Sequence, residues 1–155
     1  MSVSVRLAIA ADRTALHALR RRVFVDEQGV AADLELDGLD DDSIHAVAHD
    51  SAGTVVGTGR LVAGPKGTAR IGRMAVEGPA RGNGVGAAVL ALLESAAADA
   101  GCRRCEVHAQ THAVGFYQRA GYLAQGPPFF EAGIAHVAMV KDLPRRVQRR
   151  AGGSL

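Results

Sequence analysis

Three short stretches carry residue types and spacings that can do chemistry. The stretch Arg81-Gly82-Asn83-Gly84-Val85-Gly86-Ala87 sets three glycines ahead of a run rich in alanine and leucine. Glycine lets the main chain approach a diphosphate without side-chain clash, and a helix start adds unpaired N–H groups and a positive dipole end. Each dipole contribution is only about 0.3–1 kcal/mol, so several donors must act together. From Gly82 the stretch reads G-x-G-x-x-A, a dinucleotide fingerprint; from Arg81 it reads R-x-x-G-x-G, a pyrophosphate loop for another ligand. Cys102, Cys105, His108 and His112 look like a zinc set. Cys105 and His108, three apart on a strand, should face opposite sides, and Cys102 lies across Gly101, so tetrahedral convergence is not expected. Asp33-x-Glu35-x-Asp37-Gly38 copies the opening of a calcium loop, but Ile44 stands where the bidentate Glu belongs. No metal site is expected.

The elements around the glycine loop decide between its registers. Val3, Val5, Leu7 and Ile9 alternate as in a half-buried strand. Asp12 can cap a helix carrying Leu16, Leu19 and Val23, with Gly29 as its stop. A long acidic connection follows. Strands are predicted over 44–49, 54–63 and 70–76, joined by the turns Ser51-Ala52-Gly53 and Gly64-Pro65-Lys66-Gly67, hence an antiparallel meander. A helix spans about 84–100 and ends at Gly101; a strand covers 105–109. Thr111 can cap a short helix through Ala120, and a last strand, 134–140, follows the Gly126-Pro127-Pro128 break. The order β-α-β-β-β-α-β-α-β implies an α/β fold: a mixed sheet, helices on both sides, and one parallel crossover around the glycine loop.

This context disfavours the dinucleotide register. That register requires the loop just after the first strand of a doubly wound domain and an acid at a strand end about 20 residues later. Glu106 has the spacing but lies inside a strand pattern, and antiparallel strands precede the loop.

The chain has 155 residues, about half of them apolar, which suits one domain. We assign that domain to 1–144 and a basic, flexible tail to 145–155. A formal charge of +2 gives no field that points to nucleic acid or membrane. The N-terminus lacks a signal-peptide pattern, 86–98 is too short to span a bilayer, and two cysteines are too few for a disulfide framework. A cytoplasmic protein is expected, with pairing into a homodimer through an exposed strand left open.

The sequence resembles the GCN5-related N-acetyltransferase (GNAT) family, and within it small bacterial proteins of the YjcF and ElaA type. The likeness runs through LRRRVFVDEQGV (19–30), ELDGLDDDSIHAVA (35–48), GTGRL (57–61), RIGRMAVEGPARGNGVGAAVL (70–90), HAQTHAVGFYQRAGY (108–122) and EAGIAHVAM (131–139). It implies an acetyl-CoA-dependent N-acetyltransferase with a mostly antiparallel sheet, in which the 105–109 strand splays from its parallel neighbour. Main-chain groups of Met74, Ala75 and Val76 would meet the pantetheine arm. Arg81, Gly82, Asn83, Gly84, Val85, Gly86 and Ala87 would hold the pyrophosphate, with Phe116 and Tyr117 also against the cofactor. Tyr117, in VGFYQRAGY, would be the general acid beside the CoA sulfur. A thiol is already a fair leaving group, so a phenol can supply its proton.

The base is open, because RIGRMAV lacks the carboxylate that many relatives carry there. His108, His136, His45 and Glu27 are the candidates, with histidine favoured because it titrates near neutral pH; a water chain is the other route. The acceptor is a small amine of unknown identity, and the acidic stretch 33–42 is a weak candidate for its entrance. A binding module that has lost catalysis would keep the loop but tolerate loss of Tyr117. A lesser likeness runs to acyl-homoserine-lactone synthases through Arg21-Arg22-Val23-Phe24 and Glu35-Leu36-Asp37.

Overall fold

The computed structural model describes residues 2–145. Seven strands form one sheet: β1 (Ser4–Leu7), β2 (Ile44–His49), β3 (Val55–Ala63), β4 (Thr68–Val76), β5 (Arg104–Gln110), β6 (Leu123–Glu131) and β7 (Ile134–Asp142). Their order across the sheet is β1-β2-β3-β4-β5-β7-β6, and among the described residues only β4 and β5 pair in parallel. The expected meander is β2-β3-β4, and the glycine loop opens the crossover helix α3 (Val85–Asp99). The other helices are α1 (Arg13–Arg20), α2 (Ala32–Glu35) and α4 (Val114–Arg119).

Alternation along β2 sorts the core into two layers. Ala46 and Ala48 pack with Val89, Leu90 and Leu93 of α3, whereas Val47 packs with Leu16 and Leu19 of α1. Helix α3 lies so close to β3 that a Cβ on Gly57 would sit 2.6 Å from Val85 Cγ1. A side chain at Gly57 would therefore push α3 away from the sheet.

The structure corrects four readings. A strand was missed: β6 runs straight through Gly126-Pro127-Pro128. It is an edge strand, and its register with β7 shifts between Gln125 and Phe129, so the prolines interrupt no two-sided ladder. Asp12 does not cap α1; its carboxylate turns back to accept from Ile9 N–H at 2.7 Å and to pair with Arg6. That ends β1 at Leu7. Thr111 heads a 3-10 turn, and α4 starts only at Val114. The acidic connection after Gly29 contains a short helix, α2, that the sequence pattern does not assign. Before Gly29 the first helix widens into a π-helical segment, Arg21–Glu27, where Gln28 N–H reaches the Val23 carbonyl at 3.2 Å. Residues 146–155, nearly all of the basic tail, lie outside the described residues.

Candidate active site

Strands β4 and β5 pair only from Thr68–Ile71 against Arg104–Val107. Beyond Ile71 and Val107 they separate, and a cleft of about 970 Å³ opens between them. A bulge shapes its rim. Pairing with β3 passes from Thr58↔Ala75 to Arg60↔Gly72, leaving Arg73 and Met74 opposite Gly59, with Arg73 at φ +53°. A non-glycine residue held there is strained by roughly 1–3 kcal/mol, and such strain collects at functional sites. Met74, Ala75 and Val76, the residues expected along the pantetheine arm, line this cleft.

The glycine loop stands at one end. Gly84 is left-handed (φ +75°) and turns the chain into α3, where Ala88 N–H makes a helical bond to the Gly84 carbonyl. The N–H groups of Val85, Gly86 and Ala87 precede that first bond and so have no partner within the helix. Gly86 lies where a Cβ would come within 3.3 Å of the Phe116 ring, which locks the start of α3 against α4. Arg81, Gly86 and Phe116 line the cleft; Gly82 and Asn83 in the loop, and Val85 and Ala87 in the first turn of α3, do not. The Arg81 side chain turns inward, donating to the Val76 carbonyl at 3.0 Å and to both oxygens of Glu27 at 2.9 and 3.0 Å. Glu27, a base candidate, is thus held in an ion pair at the loop end of the cleft.

Tyr117 lines the same cleft from α4. It is 7% exposed, edge-on to Phe116 and Tyr122 with ring centroids 5.0 and 5.6 Å away. Burial pushes its phenol up to about 12. At neutral pH it is therefore fully protonated and available as a donor.

The far side of the cleft holds a polar cluster that the sequence reading found only in part. His108 projects from β5, with Nε2 3.3 Å from Glu106 and Nδ1 3.1 Å from Glu131. Arg70 of β4 also contacts its ring. His136 of β7 fixes Nδ1 on the Ile134 carbonyl at 2.6 Å and turns Nε2 toward Glu131, 4.0 Å away. The Phe129 ring lies between the two imidazoles, edge-on to His108 and stacked on His136. Burial alone would raise the Glu131 carboxyl, but the hydrogen bond from His108 and the charges of His108, Arg70 and His136 outweigh it and lower it below the ordinary value.

Glu131, Arg70 and Phe129 were absent from the candidate set. Glu131 and Phe129 belong to the strand that the prolines concealed; the alternation of Arg70 with the buried Ala69 and Ile71 was the available signal for Arg70. His45 is elsewhere: it is buried on β2, its Nε2 is 2.9 Å from the Asp40 carbonyl, and it does not line the cleft. It is not brought to the site with the other candidates.

The acidic stretch forms one wall of the cleft through Leu34, Glu35, Asp37 and Leu39. The carboxylates of Glu35, Asp37 and Asp40 are already engaged. Arg20 holds Glu35 at 2.5 Å and Asp40 at 2.8 Å; Arg60 holds Asp37 at 2.8 Å; Arg73 reaches Asp37 at 3.2 Å. These pairs fasten the wall to α1, β3 and the β4 bulge, so it is not an open anionic entrance. Cys105 faces the α3 core while His108 faces the cleft, and both cysteines are free thiols. Among the described residues no group of three or more His, Cys, Asp or Glu could hold a metal ion.

Residues 11–143 match the acetyltransferase (GNAT) domain family. The uncharacterized N-acetyltransferase YjcF of Bacillus subtilis is 40% identical over 125 residues, 80% of this chain and 88% of its own. An acyl-CoA N-acyltransferase structure from Pseudomonas aeruginosa is 30% identical, with TM-score 0.78 over 90% of this chain and 99% of its own. Escherichia coli ElaA, at 23% identity, shares the fold: its TM-score is 0.79 over 90% of this chain and 99% of its own.

Proposed function

The chain belongs to the GNAT acetyltransferase family, whose fold is that of acyl-CoA N-acyltransferases, and from that premise we propose that it transfers an acetyl group from acetyl-CoA to a small amine by direct attack. The observation that carries this reading is the β4–β5 separation with Tyr117 on one side and His108 on the other, all around one cleft. The pantetheine arm would enter along Met74–Val76, and the N–H groups at the start of α3 would receive the pyrophosphate.

The amine nitrogen attacks the thioester carbon; the N–C bond forms and the C–S bond breaks. His108 takes the proton lost by the amine at Nδ1, where the bound amine replaces Glu131, while Glu106 against Nε2 balances the charge that results; His136 is the alternate acceptor. The departing sulfur takes its proton from Tyr117. No metal takes part in this scheme. Two free thiols suit a reducing, cytoplasmic compartment. A homodimer would pair along the outer edge of β6, where Leu123 and Phe130 are exposed, and sedimentation reads that directly.

Thiol release from acetyl-CoA with a panel of amines tests the reaction. Tyr117→Phe is expected to lower kcat by about 100-fold or more, with CoA affinity changed only a few-fold. Equal turnover in the variant would remove Tyr117 from its role. CoA binding with no thiol release for any amine would favour a binding module instead.

A further inference from the structure

Arg70 and Glu131 meet across the acceptor half of the cleft. They are 61 positions apart in sequence, one on β4 and the other at the end of β6, beside the β6–β7 turn where Ala132 (φ +51°) and Gly133 (φ +75°) are both left-handed. Their side chains are 48% and 46% exposed, and Nη2 stands 3.5 Å from Oε1, a loose contact. Such an exposed pair is screened by solvent and contributes little, so a ligand can part it at little cost. The other guanidiniums on this side of the cleft, Arg60 and Arg73, are held by Asp37, Asp40 and Glu35. Gly72, two positions after Arg70 on β4, also lines the cleft, and an added Cβ there would meet nothing within 4 Å. His108 touches both Arg70 and Glu131.

One exposed cation beside one exposed anion complements a ligand carrying both charges on adjacent bonds. Resting on the acetyltransferase reading, we infer that the acceptor is a free α-amino acid, its carboxylate forked onto Arg70 and its ammonium on Glu131. The fork of a guanidinium matches a carboxylate bidentately. Glu131 delivers the ammonium next to His108, which takes its proton; the freed amine then attacks the thioester, and the sulfur leaves with the Tyr117 proton. Arg70 and Glu131 are binding residues in this scheme, and selectivity resides in the α-carboxylate.

The test sets common α-amino acids beside their decarboxylated amines in the thiol-release assay. At least one amino acid is expected to exceed its decarboxylated amine by about tenfold or more in kcat/KM, the loss of one charged hydrogen-bonded contact. Arg70→Gln should collapse that ratio toward one, Arg70→Lys should restore part of it, and Glu131→Gln should lower both members of the pair. Decarboxylated amines that match every amino acid, or a ratio that survives Arg70→Gln, overturn the inference and leave the acetyltransferase reading standing. No thiol release with any amine overturns the reading itself. Calorimetric titration of the CoA-saturated protein with the same amino acids then still decides the inference, which fails if none binds or if Arg70→Gln binds equally well.

Discussion

Arg81 shows how a residue can belong to a ligand motif without aiming at the ligand. Its guanidinium ties the end of β4 to Glu27, setting the glycine loop against the π-helical segment. In the proposed reaction the loop's N–H groups would be the diphosphate donors, and Arg81 would fix where they stand. Arg81→Ala should raise the Kd for CoA about tenfold, the effect of losing a charged hydrogen bond that orders the loop. The turnover of the saturated enzyme should change far less, and titration calorimetry beside saturation kinetics separates the two. At this scale the sequence marked Tyr117, His108 and His136, because motif and residue type singled them out. It could not mark Glu131, whose contacts come from three other strands.

The elements act by the gaps they leave. A parallel pair that stays together for four residues and then parts creates the cleft, and the bulge at Arg73 sets its rim. Across that cleft, Gln110 of β5 donates to Gln28, just past the π-helical segment, at 2.8 Å. Gly86 controls how closely α3 and α4 approach. A Cβ placed 3.3 Å from the Phe116 ring forces that ring to shift. Gly86→Ala should change the stability of the free protein by no more than about 1 kcal/mol, because helix propensity offsets the displaced ring, and should weaken CoA binding; thermal unfolding with and without CoA measures both effects. Hydrophobic period and turn chemistry sufficed for β2, β3, β4, α3, β5 and β7. They failed at β6, because an edge strand tolerates prolines that a central strand would not.

Across the whole molecule, a buried ion network joins the acidic wall to the sheet and α1. Arg20 is 1% exposed, and Glu35, Asp40 and Arg60 are nearly as enclosed. Burial alone would raise the Asp40 carboxyl, but Arg20 and then Arg60 hold it at about 2. Asp37, bonded to Arg60, lies lower still, and Asp12, bonded to Arg6 and Ile9 N–H, is held at about 2. Carboxylates depressed in the folded state contribute stability that is complete above their unfolded value of about 3.9 and lost as pH falls toward 2. His45 is lowered chiefly by burial, so its contribution weakens as pH falls below about 6.5, where the unfolded chain gains the proton more readily. Denaturant unfolding should therefore show a shallow loss of stability below about pH 6.5 and a steep one between about 4 and 2. A flat profile down to pH 3 would show that the network does not hold the fold together.

The family, the glycine loop's register and the order of most elements were legible along the chain, because helix and strand periods, glycine positions and local motifs are properties of neighbouring residues. Tertiary structure alone decided that Glu27 pairs with Arg81, that His45 lies away from the cleft and that Glu35, Asp37 and Asp40 of the acidic stretch pair with buried arginines. It alone brought Arg70 and Glu131 together around His108. The physical reason is distance along the chain: the ion pairs join groups 15 to 61 residues apart, and their strength depends on burial and on which side of the sheet each strand presents, neither of which a local pattern encodes.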